Sequence, residues 1–346
     1  MKESEALGLS GLVDLAARAF GGRAIAASDD FFAGKENLLE PGRGRFIPGE
    51  FTDRGKWMDG WESRRKRHAG HDWCIVELGQ RGSVLGVDID TNHFLGNHPP
   101  FASLDGALAP RGSSAEALLG LRWQELVPQG PLRPGSQNLV LSSNPSPVSH
   151  VRLNIFPDGG VARLRVYGRV VPDWSERRID EATRAELAQV APDAVDLAAL
   201  ENGGATLACS DAFFAPMHHL LLPGRADNQG GGWETRRKRV AGHDWIIVAL
   251  GARGRPRLIE VDTNHFKGNY PEFCSIDAID ASPGARITDL IESEAWVRWL
   301  PSEPLSAHQR HFFRRFEADA PATHVRLSIY PDGGVSRLRV WGTRDG

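Results

Sequence analysis

Two blocks of this chain hold most of the residue types that could do chemistry. The first reads Trp61-Glu62-Ser63-Arg64-Arg65-Lys66-Arg67, closely followed by Gly70-His71-Asp72-Trp73. It returns as Trp233-Glu234-Thr235-Arg236-Arg237-Lys238-Arg239 and Gly242-His243-Asp244-Trp245. Four successive cations can be a nuclear signal or nucleic-acid patch, a solvated loop, or an anion site in which guanidinium forks meet a carboxylate through paired hydrogen bonds. The run is kept whole between the same tryptophan and the same strand in both copies, and 41 basic against 44 acidic residues leave a net charge of -3. Both facts favour the anion site.

The second block is Asp88-Ile89-Asp90-Thr91-Asn92-His93-Phe94 with Gly96-Asn97, repeated as Glu260-Val261-Asp262-Thr263-Asn264-His265-Phe266 with Gly268-Asn269. Carboxylates two apart at a strand end point to one side, and an amide and an imidazole follow where the chain leaves the sheet. The alternative is structural: Asp-Thr-Asn satisfies its own backbone as a turn, and His93 and His265 are hydrogen-bonded histidines. A divalent metal on carboxylate plus histidine stays open, although the spacing lacks a tetrahedral signature. No cofactor is firmly predicted.

Other chemistry is thin. His71-Asp72 and His243-Asp244 stand at a strand entry, where a structural role serves as well as a catalytic one. Arg163, Arg165, Arg337 and Arg339 fall on the outer faces of hairpin strands, where solvation would account for them. There is no Gly-rich phosphate loop, no G-x-S-x-G and no evident cysteine nucleophile.

The elements that must position these groups come from a duplication. Val13 to Ala17 recurs as Val195 to Ala199, and Ser28-Asp29-Asp30-Phe31-Phe32 as Ser210-Asp211-Ala212-Phe213-Phe214, both 182 residues on. The two chemical blocks recur 172 residues on, so the first copy holds about ten extra residues around 46–57; His150 to Gly168 recurs at 174. In Val151 to Phe156 apolar and polar residues alternate, Pro157-Asp158-Gly159-Gly160 supplies a turn, and alternation resumes through Val166, which predicts a β-hairpin. Apolar runs at 73–78 and 84–89, separated by Gly79 and Gly82, predict further strands. The fold class expected is therefore mainly β, a tandem pair of jelly-roll β-sandwiches. The first would span 1–172, a short helical linker 173–194 and the second 195–346.

Composition narrows the rest. A chain of 346 residues exceeds one ordinary core, which agrees with two domains. Near-neutral charge gives no reason to expect nucleic acid or an anionic membrane as partner. Cys74, Cys209 and Cys274 lack C-x-x-C spacing and suit a reduced, cytoplasmic setting. Glu3, Glu5 and the mixed stretch to Phe20 do not read as a signal peptide, and no apolar run suffices to cross a bilayer.

Taken together, Ser28 to Phe32 with Lys35-Glu36-Asn37-Leu38, the Trp-Glu-Ser/Thr-Arg-Arg-Lys-Arg and Gly-His-Asp-Trp blocks, and Val261 to Asn269 resemble the allantoicase family across both repeats. The resemblance implies galactose-binding-like jelly rolls, hydrolysis of allantoate to ureidoglycolate and urea in allantoin degradation, and a homo-oligomer. Allantoate carries a carboxylate and two ureido arms on one carbon. On this reading Arg64 and Arg65, or Arg236 and Arg237, hold the carboxylate, while Asp90 and Asn92, or Asp262 and Asn264, orient the arms. Glu62 or His93, or Glu234 or His265, would protonate the departing urea nitrogen and activate water. The rival readings are a hydrolase of a related ureido acid and a non-catalytic tandem ligand-binding protein.

Overall fold

The computed structural model describes residues 7–9, 12–174, 179–282 and 285–345. Glu3, Glu5 and residues 175–178 of the expected linker lie outside the described residues. The chain divides into two compact units, Met1–Val171 and Pro172–Gly346.

In the first unit the strands Val13–Asp14, Arg163–Val170, Asp72–Asp90, Pro147–Phe156, Phe101–Ala107 and Gln124–Pro131 are neighbours in that order. Arg23–Ala27 and Leu139–Leu141 also pair with Asp72–Asp90. The pivotal element is the 19-residue strand Asp72–Asp90. Its first half pairs antiparallel with Pro147–Phe156, and its second half with Arg163–Val170. The chain thus turns a corner at Gly79–Gly82 and comes back, serving both layers of a jelly-roll sandwich. Two apolar runs broken by glycines are one strand, bent within a single eight-stranded sheet.

That corner decides where the chemistry lies. Asp72 N–H donates to the Pro157 carbonyl at 3.0 Å, and the Asp90 carbonyl accepts from Ala162 N–H at 2.7 Å, so both ends of the strand meet the turn 157–162. The short strand Trp61–Glu62 pairs with Gly160–Val161 across the same turn. Both chemical blocks are therefore delivered to one end of the sandwich.

The second unit repeats the plan with Val195–Asp196, Arg337–Arg344, Asp244–Asp262, Ala322–Tyr330, Phe273–Ile279 and Val297–Pro304, joined by Ala205–Cys209 and Arg310–Phe313. Helix Glu181–Ala188, started by an Asp180 side chain that accepts from Thr183 N–H, belongs to this unit. Its Leu187 is buried with Ala194, Leu258 and Trp341.

The alternation in the sequence is the burial of the sandwich: Val151, Leu153, Ile155, Leu164 and Val166 are all wholly buried. Trp61 and Trp233 are also fully buried, and each satisfies its indole N–H on a backbone carbonyl, of Asp29 or Asp211, at 2.8 Å. Phe94 and Phe266 lie flat against Gly160 and Gly334. A Cβ added at those glycines would come within 2.0 Å and 1.9 Å of the rings, so only glycine fits there.

Candidate functional site

Each sequence candidate has a definite place at the turn end of its unit. Arg64 is held by Asp29: its backbone N–H and Nε donate to the two carboxylate oxygens at 2.9 and 2.7 Å, and its guanidinium lies 5.0 Å from the Phe31 ring centroid. Arg236, Asp211 and Phe213 repeat the arrangement. The Arg64 contacts hold the Asp29 carboxyl below the usual range despite partial burial. Arg65 and Arg237 are exposed and have no ion-pair or hydrogen-bond partner among the described residues. Lys66 instead turns inward, to the buried Asp72 at 2.7 Å, and Lys238 does the same to Asp244 at 2.8 Å. The basic run is thus divided into exposed arginines, Arg64 and Arg65 or Arg236 and Arg237, and an inward-turned lysine.

The Asp-Thr-Asn-His block works as a clamp on neighbouring loops. Asp90 receives Arg43 through two hydrogen bonds of 2.8 Å, and Asp262 receives Arg225 at 2.9 and 3.1 Å. Asn92 donates to the Gly44 carbonyl at 2.7 Å and Asn264 to the Ala226 carbonyl at 3.1 Å. Thr91 and Thr263 bond the loops at 133–136 and 306–309. His93 and His265 sit in the left-handed region with φ of 66° and 70°, a conformation histidine adopts more readily than most side chains. The His265 ring is bonded to the Ala226 carbonyl at 2.9 Å. The exposed His93 lies near Phe46, with ring centroids 5.8 Å apart.

Glu62 is half-buried and accepts one hydrogen bond, from Asn97 at 2.7 Å; burial raises its carboxyl above the ordinary value, with the Asn97 bond acting against this. Glu234 accepts from Asn269 at 2.6 Å and also from Gln229, whose amide lies 3.0 Å from both oxygens. Trp57 occupies the position of Gln229 in the first repeat. Among the described residues no three histidine, cysteine or acidic side chains gather to hold a metal ion.

Arg43 and Arg225 are the residues that sequence reasoning missed. The signal was present, since Pro41-Gly42-Arg43 recurs as Pro223-Gly224-Arg225 at the 182-residue spacing. The hairpin arginines also need correcting: solvation does not explain them. Arg163 and Arg337 are buried, as is Arg339, and Arg165 is half-buried. The loops near 40–44, 59 and 219–231 fold over these strand faces, and the arginines donate to their carbonyls. Arg163 also meets the Asp59 carboxylate at 2.9 Å. His71 approaches Asn154 at 3.3 Å and stacks near Phe156, which suits a structural role.

A family model for the allantoicase repeat matches residues 13–171 and again 195–345. The chain is 48% identical over 334 residues to a protein of Burkholderia mallei named "Probable allantoicase 1", covering 96% of this chain and 95% of that one. A "Probable allantoicase" of Photobacterium profundum is 46% identical over 341 residues, 98% of each. Among solved structures, the allantoicase of Saccharomyces cerevisiae superposes with a TM-score of 0.80 at 32% identity, covering 99% of this chain and 98% of that one. With both repeats matched and the likeness running nearly end to end, the chain belongs to the allantoicase family.

Proposed function

We infer that this chain is a hydrolase that splits allantoate into ureidoglycolate and urea, a step of purine degradation. The observation that carries the reading is the match of both repeats, over nearly the whole chain, to proteins named for that reaction.

The chemistry needs a cation for the substrate carboxylate, partners for two ureido arms, and a group that can protonate the leaving nitrogen. Arg43 and Arg225, each backed by a buried carboxylate, are preorganised cations of the right kind, and Arg64, Arg65, Arg236 and Arg237 add further guanidiniums at the same end. Asp90, Asn92, Asp262 and Asn264 act as positioning residues for the Arg43 and Arg225 loops. Glu62, half-buried with a single amide donor, holds a proton better than an ordinary glutamate and serves as the acid. His93, free of hydrogen bonds to protein among the described residues, is the accompanying base. The central C–N bond breaks, its nitrogen takes the proton and leaves in urea, and water oxygen bonds to the central carbon.

No helix among the described residues is long and apolar enough to cross a membrane. We further propose a cytoplasmic homo-oligomer, which agrees with three free cysteines and with exposed phenylalanine pairs at 31–32 and 213–214; light scattering on the purified chain measures the assembly. For the reaction itself, allantoate is incubated with the protein and both products are quantified. One urea and one ureidoglycolate per allantoate is the expected result; ammonia release or a preference for another ureido acid would point to the related-substrate reading.

A further inference from the structure

The two repeats share the arginine clamp but not the groups around it. Arg43 on Asp90 and Arg225 on Asp262 match contact for contact. Glu62 and Glu234 differ. In the first repeat Asn97 donates to Glu62 Oε1 at 2.7 Å, while Oε2 has no hydrogen-bond partner among the described residues and reaches solvent. In the second, Asn269 donates to Glu234 Oε1 at 2.6 Å, and the Gln229 amide stands 3.0 Å from each oxygen. With amide N–H groups on both oxygens, neither is left to carry a proton toward a leaving nitrogen. The histidines differ in the same sense. His265 Nε2 must donate to the Ala226 carbonyl, 2.9 Å away, and its backbone N–H donates to His308 Nδ1 at 2.8 Å. Gly44 and Gly135 stand at the positions of Ala226 and His308 in the first repeat, and the His93 ring has no hydrogen bond among the described residues.

The difference at the glutamates traces to one insertion. The spacing between repeats falls from 182 residues at Ser28–Phe32 to 172 at Trp61–Glu62, because the first repeat is about ten residues longer there. The longer connection forms the hairpin of Phe51–Thr52 with Gly55–Lys56. From it Lys56 Nζ lies 4.3 Å from the Phe46 ring centroid, and Arg54 donates to the Phe31 carbonyl at 2.9 Å. The shorter connection of the second repeat closes instead as the turn Gln229–Gly231, and that turn sets Gln229 against Glu234. Trp57, at the matching position of the first repeat, makes no hydrogen bond to Glu62 among the described residues.

We propose that each chain has one catalytic site, in the first repeat, and that Gln229 silences the second by holding Glu234. The proposal rests on the hydrolytic reading, in which Glu62 is the acid, and goes beyond it by assigning no turnover to the second repeat. Gln229 is a positioning residue here, acting through Glu234. The duplication therefore leaves two arginine clamps but one carboxyl free to deliver a proton.

Two measurements on the full chain test it. Carbodiimide activation with glycine ethyl ester labels open carboxyls, and peptide mass spectrometry reads the label at positions 62 and 234. Glu62 should react about tenfold faster than Glu234, and Gln229→Ala should raise the Glu234 rate about tenfold, as release of hydrogen bonds to a carboxylate implies. In kinetics, Glu62→Gln should lower urea release about 100-fold, the scale of a lost general acid, whereas two equal sites would give a loss of about twofold. Adding Gln229→Ala to Glu62→Gln should recover about tenfold of that rate, with an alkaline limb returning to the pH profile, which a purely structural role for Gln229 would not produce. Equal labelling of the two glutamates, a merely halved rate in Glu62→Gln, or no recovery in the double variant would overturn the proposal. A parent chain that releases no urea from allantoate counts against the hydrolase reading, while the labelling ratio still tests the asymmetry.

Discussion

Arg43 lies with its Nε and Nη2 on the two oxygens of Asp90, each at 2.8 Å, while its side chain stays 49% exposed and that of Asp90 only 3%. A buried carboxylate therefore aims an arginine outward, and Arg225 on Asp262 repeats the device. Lysine cannot reproduce a planar fork held at two points. Arg43→Lys should lower kcat/KM for allantoate by about 10- to 100-fold, chiefly through KM, if the cation binds substrate in ground and transition states alike. Steady-state kinetics of Arg43→Lys and Arg225→Lys measure this, and an unchanged KM in both would remove the clamp from the account.

Glu62 gives a pH signature. Its carboxyl is raised above the ordinary glutamate value by burial, so the protonated form persists to higher pH than for an exposed residue. As the acid, it should give the alkaline limb of the kcat profile, with kcat falling as the pH rises past that raised value. Glu62→Gln should abolish this limb together with most of the activity. A kcat profile of Glu62→Gln that keeps both height and shape would exclude the residue.

Asp14 and Asp196 link acidity to stability. Burial raises them to about 6 and about 7, against the opposing attraction of Arg165 and Arg339. A carboxyl whose folded value lies above its unfolded value of 3.8 binds more protons in the native state. Its stabilisation is complete below the unfolded value and is lost as pH rises through about 6 to 7. Asp196→Asn keeps an oxygen for the backbone N–H groups of Ala198 and Val340, which Asp196 bonds at 3.1 and 2.9 Å. Melting of Asp196→Asn should therefore rise by about 2–4 °C relative to the parent at pH 8 and by little at pH 5. The opposite ordering would contradict the assignment.

Gly160 tests the packing behind the site. An added Cβ would lie 2.0 Å from the Phe94 ring, so Gly160→Ala must displace a fully buried aromatic. Overpacking of this kind costs about 1–3 kcal/mol. Urea denaturation should show a loss of that order, part of it recovered by adding Phe94→Leu; an additive double variant would mean that the two positions do not press on each other.

Much of this architecture is legible in the sequence. The repeat and the hairpin at 151–166 follow from local alternation, turn residues and long-range self-similarity. What escaped was non-local. Strand alternation put Arg163 and Arg337 on outward faces correctly, but nothing in a strand reveals that loops from more than a hundred residues earlier will cover that face. Asp90 looked like a free acceptor because its partner, Arg43, arrives from a loop 47 residues upstream. The bent strand Asp72–Asp90 explains why the blocks share an end, and its corner was visible only as Gly79 and Gly82.

The most direct test of the account is urea release from allantoate by the purified chain, compared between the parent protein and Glu62→Gln at equal concentration with matched melting temperatures. The account predicts stoichiometric urea and ureidoglycolate from the parent and a fall of about 100-fold or more in kcat for the variant, the scale expected when a general acid is lost. No urea from a folded parent protein, or equal rates for the two proteins, would contradict it.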